Sequence, residues 1–252
     1  MRIFKFSEKH HTIGVIKMAP RIQGSFEMWG YDQNTGDFRE YATIDEWKNE
    51  ITCKGAKRYL KEHLKKSLID DFLPAYCSYI KSGSGFFALP RIIFPVIDFL
   101  GALYKGSNSS RNAYLFMRDY LGQVKREYTL YGDLIYYIYR HGLVHTQMPK
   151  IIKVKNTNIG WTITFDDVLH LNISPVGLKP FNVYLSPHQL FLDLCKAINI
   201  YISDFDDPTK RNDLLDKFKE GFIEMARVYD PNAHIRFRRF CQMGLQNLRQ
   251  RI

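Results

Sequence analysis

Residues 86–104 (FFALPRIIFPVIDFLGALY) are apolar almost without interruption. A helix that is apolar on all sides belongs either in lipid or at the middle of a folded protein. Arg91 and Asp98 stand near the centre of this run, and charges there are costly in a lone membrane span. Pro90 and Pro95 interrupt it further. The expectation is therefore the central helix of a helical bundle, with no membrane segment. Arg91 and Asp98 are seven residues apart and share a helix face. A buried charge must be paired, either by these two with each other or by one of them reaching a polar group elsewhere.

Helical patterning surrounds this run. Leu60, Leu64, Leu68 and Phe72 recur at four-residue spacing, one face of a helix, which Pro74 is expected to break or kink. Residues 82–85 and 106–110 read as loops. A helix near 111–121 ends around Gly122, and another spans about 125–145 with Leu130, Leu134 and Ile138 expected inside. The period then changes. Trp161, Ile163 and Phe165 alternate with Thr162 and Thr164, and Leu169, Leu171 and Ile173 alternate with His170 and Asn172. Such alternation indicates half-buried strands, with residues 156–160 as a hairpin turn. Three helices follow. Ser186-Pro187 is a cap followed by proline, with Gln189 completing a capping box. Asp207-Pro208 and Asp230-Pro231 repeat the cap-then-proline signal.

The resulting fold class is mainly α: a helical bundle with a small antiparallel β hairpin or meander inserted. Its parts are an irregular or β segment at 1–45, a helical core at 46–149, the β insertion at 150–185, and helices at 186–252 packed on the core, in one compact domain. Within 1–45, short strands are expected around Ile13–Met18 and Ser25–Tyr31, with a turn at 32–37.

Apolar residues make up 45 % of the chain, enough for a sizeable core, and its 16 Tyr and 18 Phe imply many half-buried rings with hydroxyls satisfied at the rim. The formal net charge is +10, which favours phosphate-bearing partners without identifying one. Residues 48–66 hold seven Lys or Arg against two Glu, and 232–252 hold five Arg and no acid. Each is either a solvated helix face or part of a surface that follows a nucleic-acid backbone. Cys53, Cys77, Cys195 and Cys241 show no Cys-x-x-Cys spacing. With charges at Arg2 and Lys5 in place of a signal peptide's apolar core, free thiols in a reducing cytoplasm are expected.

No phosphate loop, dinucleotide fingerprint or Gly-x-Ser-x-Gly elbow is present, so no cofactor is expected. His141 and His145, four apart, are too few to hold a metal. His63, His170, His188 and His234 read as surface or satisfied core residues. What remains is Arg140-His141-Gly142-Leu143-Val144-His145 at the end of a helix. Arginine is a fixed-charge fork suited to phosphate oxygens, and histidine moves protons near neutral pH. A histidine taking the ribose 2′-hydroxyl proton, with arginine stabilising charge on the phosphoryl oxygens, would cleave RNA without metal. On an ideal helix Arg140 and His145 point roughly 140° apart, so they converge only if the helix loosens at Gly142 or a second subunit completes the site. The other reading stays open: Arg and His in a last helical turn favour the negative end of the helix dipole and cap free carbonyls.

Arg-x-x-x-x-His with a polar residue after the Arg resembles the HEPN motif. With Gly101-Ala102-Leu103-Tyr104, it is also similar to a bacterial protein type without assigned activity. The HEPN resemblance implies a helical bundle whose homodimer joins two motifs into one RNA-cleaving site. Arg140 and His145 would be the catalytic pair and His141 polar support, with Asp98 or Arg91 as the group that orients them. An alternative from another class is a non-enzymatic regulatory or interaction protein that dimerises through the same helices. A third is a DNA-binding protein working through its Arg-rich C-terminal helix.

Overall fold

The structure is a computed structural model that describes residues 28–31, 38–41, 51–83, 85–143, 147–154, 156–175 and 181–226. Near the N-terminus, β1 (Met28–Tyr31) and β2 (Phe38–Tyr41) form an antiparallel hairpin with Tyr31 opposite Phe38. The strand expected at Ile13–Met18 and the turn at 32–37 lie outside the described residues. Helix α1 (Cys53–Arg58), a π-helical stretch (Tyr59–Lys65) and α2 (Lys66–Ser82) join end to end. Pro74 does not break α2. It is exposed, as are Asp70 and Asp71 a turn earlier, so water can satisfy the carbonyl that loses its helical partner. Gly83 ends α2 at φ 68°, the left-handed C-cap conformation that glycine takes without a Cβ clash.

Helix α3 (Ala88–Lys105) is the predicted central helix. Leu89, Ile93, Phe94, Ile97, Leu100 and Leu103 are all buried. Its neighbours come close because side chains are missing at the crossings. A Cβ on Gly101 would lie 2.5 Å from the backbone N of Ala113 in α4 (Ser110–Phe116). A Cβ on Gly221 would lie 2.1 Å from the carbonyl O of Ala102. After α4 the chain passes through a second π stretch (Met117–Leu121) and the single turn α5 (Gly122–Val124). It reverses into α6 (Glu127–Ile135) and a third π stretch (Tyr136–His141). Of the expected inner face, Ile138 is buried and Leu134 packs partly buried against the core, but Leu130 is corrected. Leu130 is 61 % exposed, while Tyr128, Ile135, Tyr136, Ile138 and Tyr139 are buried. Non-helical backbone at Tyr131 (φ −148°) and the π stretch that follows rotate the face away from the ideal 3.6-residue period.

The inserted sheet has β3 (Ile152–Val154), β4 (Thr157–Ile163), β5 (Ile173–Pro175) and β6 (Phe181–Leu185) in the order β3-β4-β6-β5. The β3–β4 and β5–β6 pairs are antiparallel, but β4 and β6 run parallel, so the sheet is mixed rather than a meander. Val154 pairs with Thr157, which places residues 157–160 in the strand and not in the turn. The alternation at 169–173 also misleads. Asp166 caps a 3-10 turn (Asp167–Leu169), Leu171 sits at φ 68°, and only Ile173 onward is strand. Burial of both Leu171 and His170 reflects this loop, not a pleat.

Helix α7 (Pro187–Asp204) starts where the capping signal places it, with Ser186 Oγ accepting from Gln189 N at 3.2 Å. The Gln189 side chain does not close the box but donates to Asp193 instead. Helix α8 (Arg211–Ala226) begins one turn after Asp207-Pro208, with Asp207 Oδ1 capping Thr209 N at 2.9 Å. The third C-terminal helix and its arginines lie outside the described residues. Several tyrosines exceed the half-buried expectation: Tyr128, Tyr136, Tyr139 and Tyr201 are fully buried. Tyr139 reaches the carbonyls of Thr162 (3.1 Å) and Val183 (2.6 Å), tying the third π stretch to the sheet. Among the described residues no helix is long and apolar enough to cross a membrane.

The glycine crossings can be checked directly. Gly101→Ala gains about 1 kcal/mol of helix propensity but forces a methyl into backbone, an overpacking cost of about 1–3 kcal/mol. The expected result is a lower urea midpoint at unchanged m-value; equal or higher stability would show that the crossing has slack.

Candidate functional site

The motif end of the third π stretch faces α3. Asp98 projects from α3, and both of its oxygens are taken. Arg140 Nε donates to Oδ2 at 3.0 Å, and the Tyr136 hydroxyl donates to Oδ1. The two charged side chains are 24 % and 21 % exposed, so the pair is half-buried at the rim of the core. Tyr136 and Arg140 are four apart on one face, and the Arg140 guanidinium lies 5.9 Å from the Tyr136 ring centroid. Burial, reinforced by the hydrogen bond to Asp98, pushes the Tyr136 hydroxyl far above the usual phenol range, so it stays a proton donor. On the outer side, His141 stands edge-on to Tyr136 (5.9 Å, 86°) and tilted against Tyr137 (5.1 Å). Tyr114 of α4 meets Tyr136 edge-to-face at 4.8 Å.

Arg91 and Asp98 do not pair with each other. Arg91 Nη2 donates to the carbonyl of Gln147 at 3.0 Å. It thereby helps hold residues 147–150 back across the helix end, where Lys150 N donates to Ile138 O at 2.8 Å. Gly142 makes that return feasible, since a Cβ there would sit 2.3 Å from Met148 O and 2.5 Å from Pro149 Cα. The helix departs from α geometry just before Gly142, in the π geometry of Tyr136–His141. His145 lies outside the described residues. Asp98, Arg140 and His141 are therefore brought together by α3 and one helix end, while Arg91 acts on the returning loop.

A second polar group was not anticipated from the sequence. His170 is wholly buried, with its Nδ1 accepting from Ser186 N at 3.1 Å. The ring proton is therefore on Nε2, which donates to the Tyr128 hydroxyl at 2.8 Å. That hydroxyl in turn donates to Asp193 Oδ2 at 3.1 Å, and Gln189 Nε2 donates to Oδ1 at 2.7 Å. Lys125 Nζ donates to the His170 carbonyl at 2.7 Å. Burial pushes His170 down to about 3, helped by the Lys125 charge, and pushes Asp193 up against its hydrogen bonds from Gln189 and Tyr128. The satisfied-core reading of His170 holds, and the network fastens the insertion to α6 and α7. Asp193 carried a usable signal: it sits three residues after Leu190 and beside Leu194, on the apolar face of α7. Nearby, His188 is half-buried, stacked on Tyr76 at 4.8 Å, with its Nδ1 2.8 Å from Asp167 Oδ2. Burial would raise Asp167, but hydrogen bonds from Ser186 and His188 outweigh it and hold the carboxyl below its usual range.

The basic stretch 48–66 is partly neutralised by its own surroundings. Lys57 pairs with Asp206 (2.5 Å), Arg58 with Glu62 (2.9 Å), and Lys65 bonds Asn199 (2.9 Å). Cys53, Cys77 and Cys195 are free thiols. Among the described residues no three His, Cys, Asp or Glu side chains gather as a metal site requires. No protein-family model, no curated protein and no solved structure matches the chain.

The buried imidazole has a pH signature. An unfolded histidine titrates near 6.5 and the folded His170 near 3. The stability contributed by the neutral ring is complete above pH 6.5 and is lost as pH falls toward 3, by up to about 1.4 kcal/mol per pH unit. The raised Asp193 acts oppositely, because below its elevated pKa the folded state retains a proton the unfolded state sheds until about pH 3.9. The His170 effect is therefore cleanest in the interval immediately below pH 6.5, before Asp193 takes up its proton. Urea unfolding across that interval should show falling stability for the wild type. His170→Asn should be less stable at pH 7 and flatter with pH; an unchanged slope would contradict the assignment.

Proposed function

We propose that the chain is a HEPN-like, metal-independent endoribonuclease acting through Arg140 and His145, or a relative that retains only the RNA-binding half of that activity. The observation that carries this reading is the presentation of Arg140: a planar cation, 24 % exposed, held at a helix end by Asp98, which Tyr136 also bonds, with His141 beside it. A guanidinium pre-positioned in this way meets a phosphodiester without a reorganisation cost. The π geometry of Tyr136–His141, which includes Arg140 and His141, supports it further, since such distortions are frequent at functional sites.

In this mechanism His145 takes the proton of a ribose 2′-hydroxyl. The 2′-oxygen bonds to the adjacent phosphorus while the bond from phosphorus to the 5′-oxygen breaks. The leaving 5′-oxygen takes a proton from solvent, and the products are a 2′,3′-cyclic phosphate and a 5′-hydroxyl. Arg140 stabilises the charge on the non-bridging oxygens, His141 gives polar support, and Asp98 acts as a positioning residue. The family resemblance implies two copies of the motif facing each other across a homodimer.

One observation favours the second reading, a non-enzymatic dimerising regulatory or interaction protein. Asp98 already neutralises Arg140, and a half-buried pair of this kind also serves simply to dock the helix end on α3.

The two readings separate in an assay of purified protein on labelled single-stranded RNA with excess chelator. His145→Ala should lower the cleavage rate by about 10²–10⁴-fold, the usual contribution of a general base, with the melting temperature preserved. Arg140→Lys should also cleave poorly, because a point charge does not replace the fork. Absence of cleavage by the wild type, or equal rates for wild type and His145→Ala, would end the nuclease reading. A large loss of stability in Arg140→Ala together with that result would support the docking role.

A further inference from the structure

A cleft of about 310 Å³ opens between the α4 helix and α6, lined by Arg111, Tyr114, Arg118, Thr129, Leu130 and Asp133 among others. It lies beside the Arg140 pair. The Tyr114 ring that lines it packs on Tyr136, and its hydroxyl, raised first by burial, also feels the charges of Asp133, Arg140 and Asp98. We propose that this cleft holds the sugar–phosphate backbone of a single-stranded RNA segment continuing from Arg140, an inference that rests on the RNA reading above and assigns the strand's path.

Charge and geometry carry it. The lining holds two fixed cations and one carboxylate. Arg111 makes no ion pair among the described residues. Arg118 is 53 % exposed and is held by the adjacent Asp119 through Nε (2.7 Å) and Nη2 (3.2 Å), which fixes its planar guanidinium at the cleft wall. The one acid, Asp133, turns Oδ1 toward the N–H of Leu134 at 2.7 Å. Thr129 Oγ1 bonds the carbonyl of Arg118 at 3.3 Å and holds the two walls together. Leu130, 61 % exposed at the lip, offers apolar surface to a base. Planar guanidinium groups beside aromatic and apolar side chains are what a single strand requires: fixed charge for its phosphates and flat or greasy surface for unpaired bases. Another cleft of similar size among the described residues lacks this bias, because Lys105, Lys210 and Lys217 are balanced there by Asp119, Asp204 and Asp213. There Lys210 faces Asp204 (2.9 Å) and Lys217 faces Asp213 (2.5 Å), leaving little net field for an anion.

The test is fluorescence anisotropy with a short labelled 2′-O-methyl oligoribonucleotide, which cannot be cleaved by 2′-hydroxyl attack, so binding is read apart from chemistry. Arg111→Gln with Arg118→Gln should weaken binding about tenfold or more, and should reduce the slope of log affinity against log salt by about 0.7 for each phosphate that is no longer neutralised. Asp133→Asn keeps the oxygen that accepts from Leu134 while removing the repelling charge, so it should tighten binding by about two- to fivefold. A merely structural cleft gives no such gain. Wild-type affinity in the double arginine variant, no tightening in Asp133→Asn, or no binding by the wild type would each overturn the assignment. If the wild type binds, responds to these variants as stated and yet does not cut unmodified RNA, the cleft stands and the nuclease reading falls.

Discussion

Burying most of α3 forces the rest of the fold. A helix with Leu89, Ile93, Phe94, Ile97, Leu100 and Leu103 inside needs neighbours over most of its surface, with only Pro95 exposed between Leu89 and Leu103, and close neighbours need small residues where axes cross. Gly101 and Gly221 supply them, letting α4 and α8 approach the α3 backbone. The same burial leaves Asp98 in a position where an unpaired carboxylate would be prohibitively costly. It is answered from the opposing helix by Tyr136 and Arg140. The requirement to satisfy one acid on the central helix therefore places the candidate chemical motif, and sets which way its arginine points.

The π stretches are the local means of doing this. Each adds a residue to a turn, shifts the side chains that follow, and frees carbonyls from the helical ladder. Carbonyls of two of these stretches accept from other parts of the chain: Ile138 O from Lys150 N, and Arg118 O from Thr129 Oγ1. In the first case the helix end is closed by a loop that Gly142 lets pass at backbone distance; in the second, two helices are tied together along one wall of the arginine-lined cleft. Local distortion and surface shape are one event at these places.

Two polar networks divide the work by exposure. The His170–Tyr128–Asp193 chain is sealed, its proton order is set by the Ser186 N–H, and its groups are shifted toward their neutral forms. A network without access to solvent stabilises and specifies packing. The Asp98–Arg140–Tyr136 group is alike in its hydrogen bonding but reaches the surface. That access, together with the fixed positive charge of Arg140, makes it the candidate for recognising an anionic ligand.

The sequence by itself determined the elements whose signals are local. The central helix was readable because an uninterrupted apolar run with two charges has few places to go, and the start of α7 because Ser186-Pro187 is a capping signal that acts within one turn. The strand at 161–163 was readable because alternation is a property of neighbouring residues, while its first half, 157–160, reads as a turn by composition and became strand only by pairing with 152–154. Only the tertiary structure decided the rest, because non-local contacts override the ideal period. The kink at Tyr131 and the π stretch after it put Leu130 outside and Tyr128 and Tyr136 inside. The parallel pairing of β4 with β6 depends on which strands meet, which alternation does not encode. In the site, the nearness of Arg140 and His141 was written in their spacing. The choice of Asp98 rather than Arg91 as the partner, and the placing of Arg111 and Arg118 beside them, required helices to be packed. Hydrogen bonds between residues about forty positions apart exist only once burial has brought their helices together.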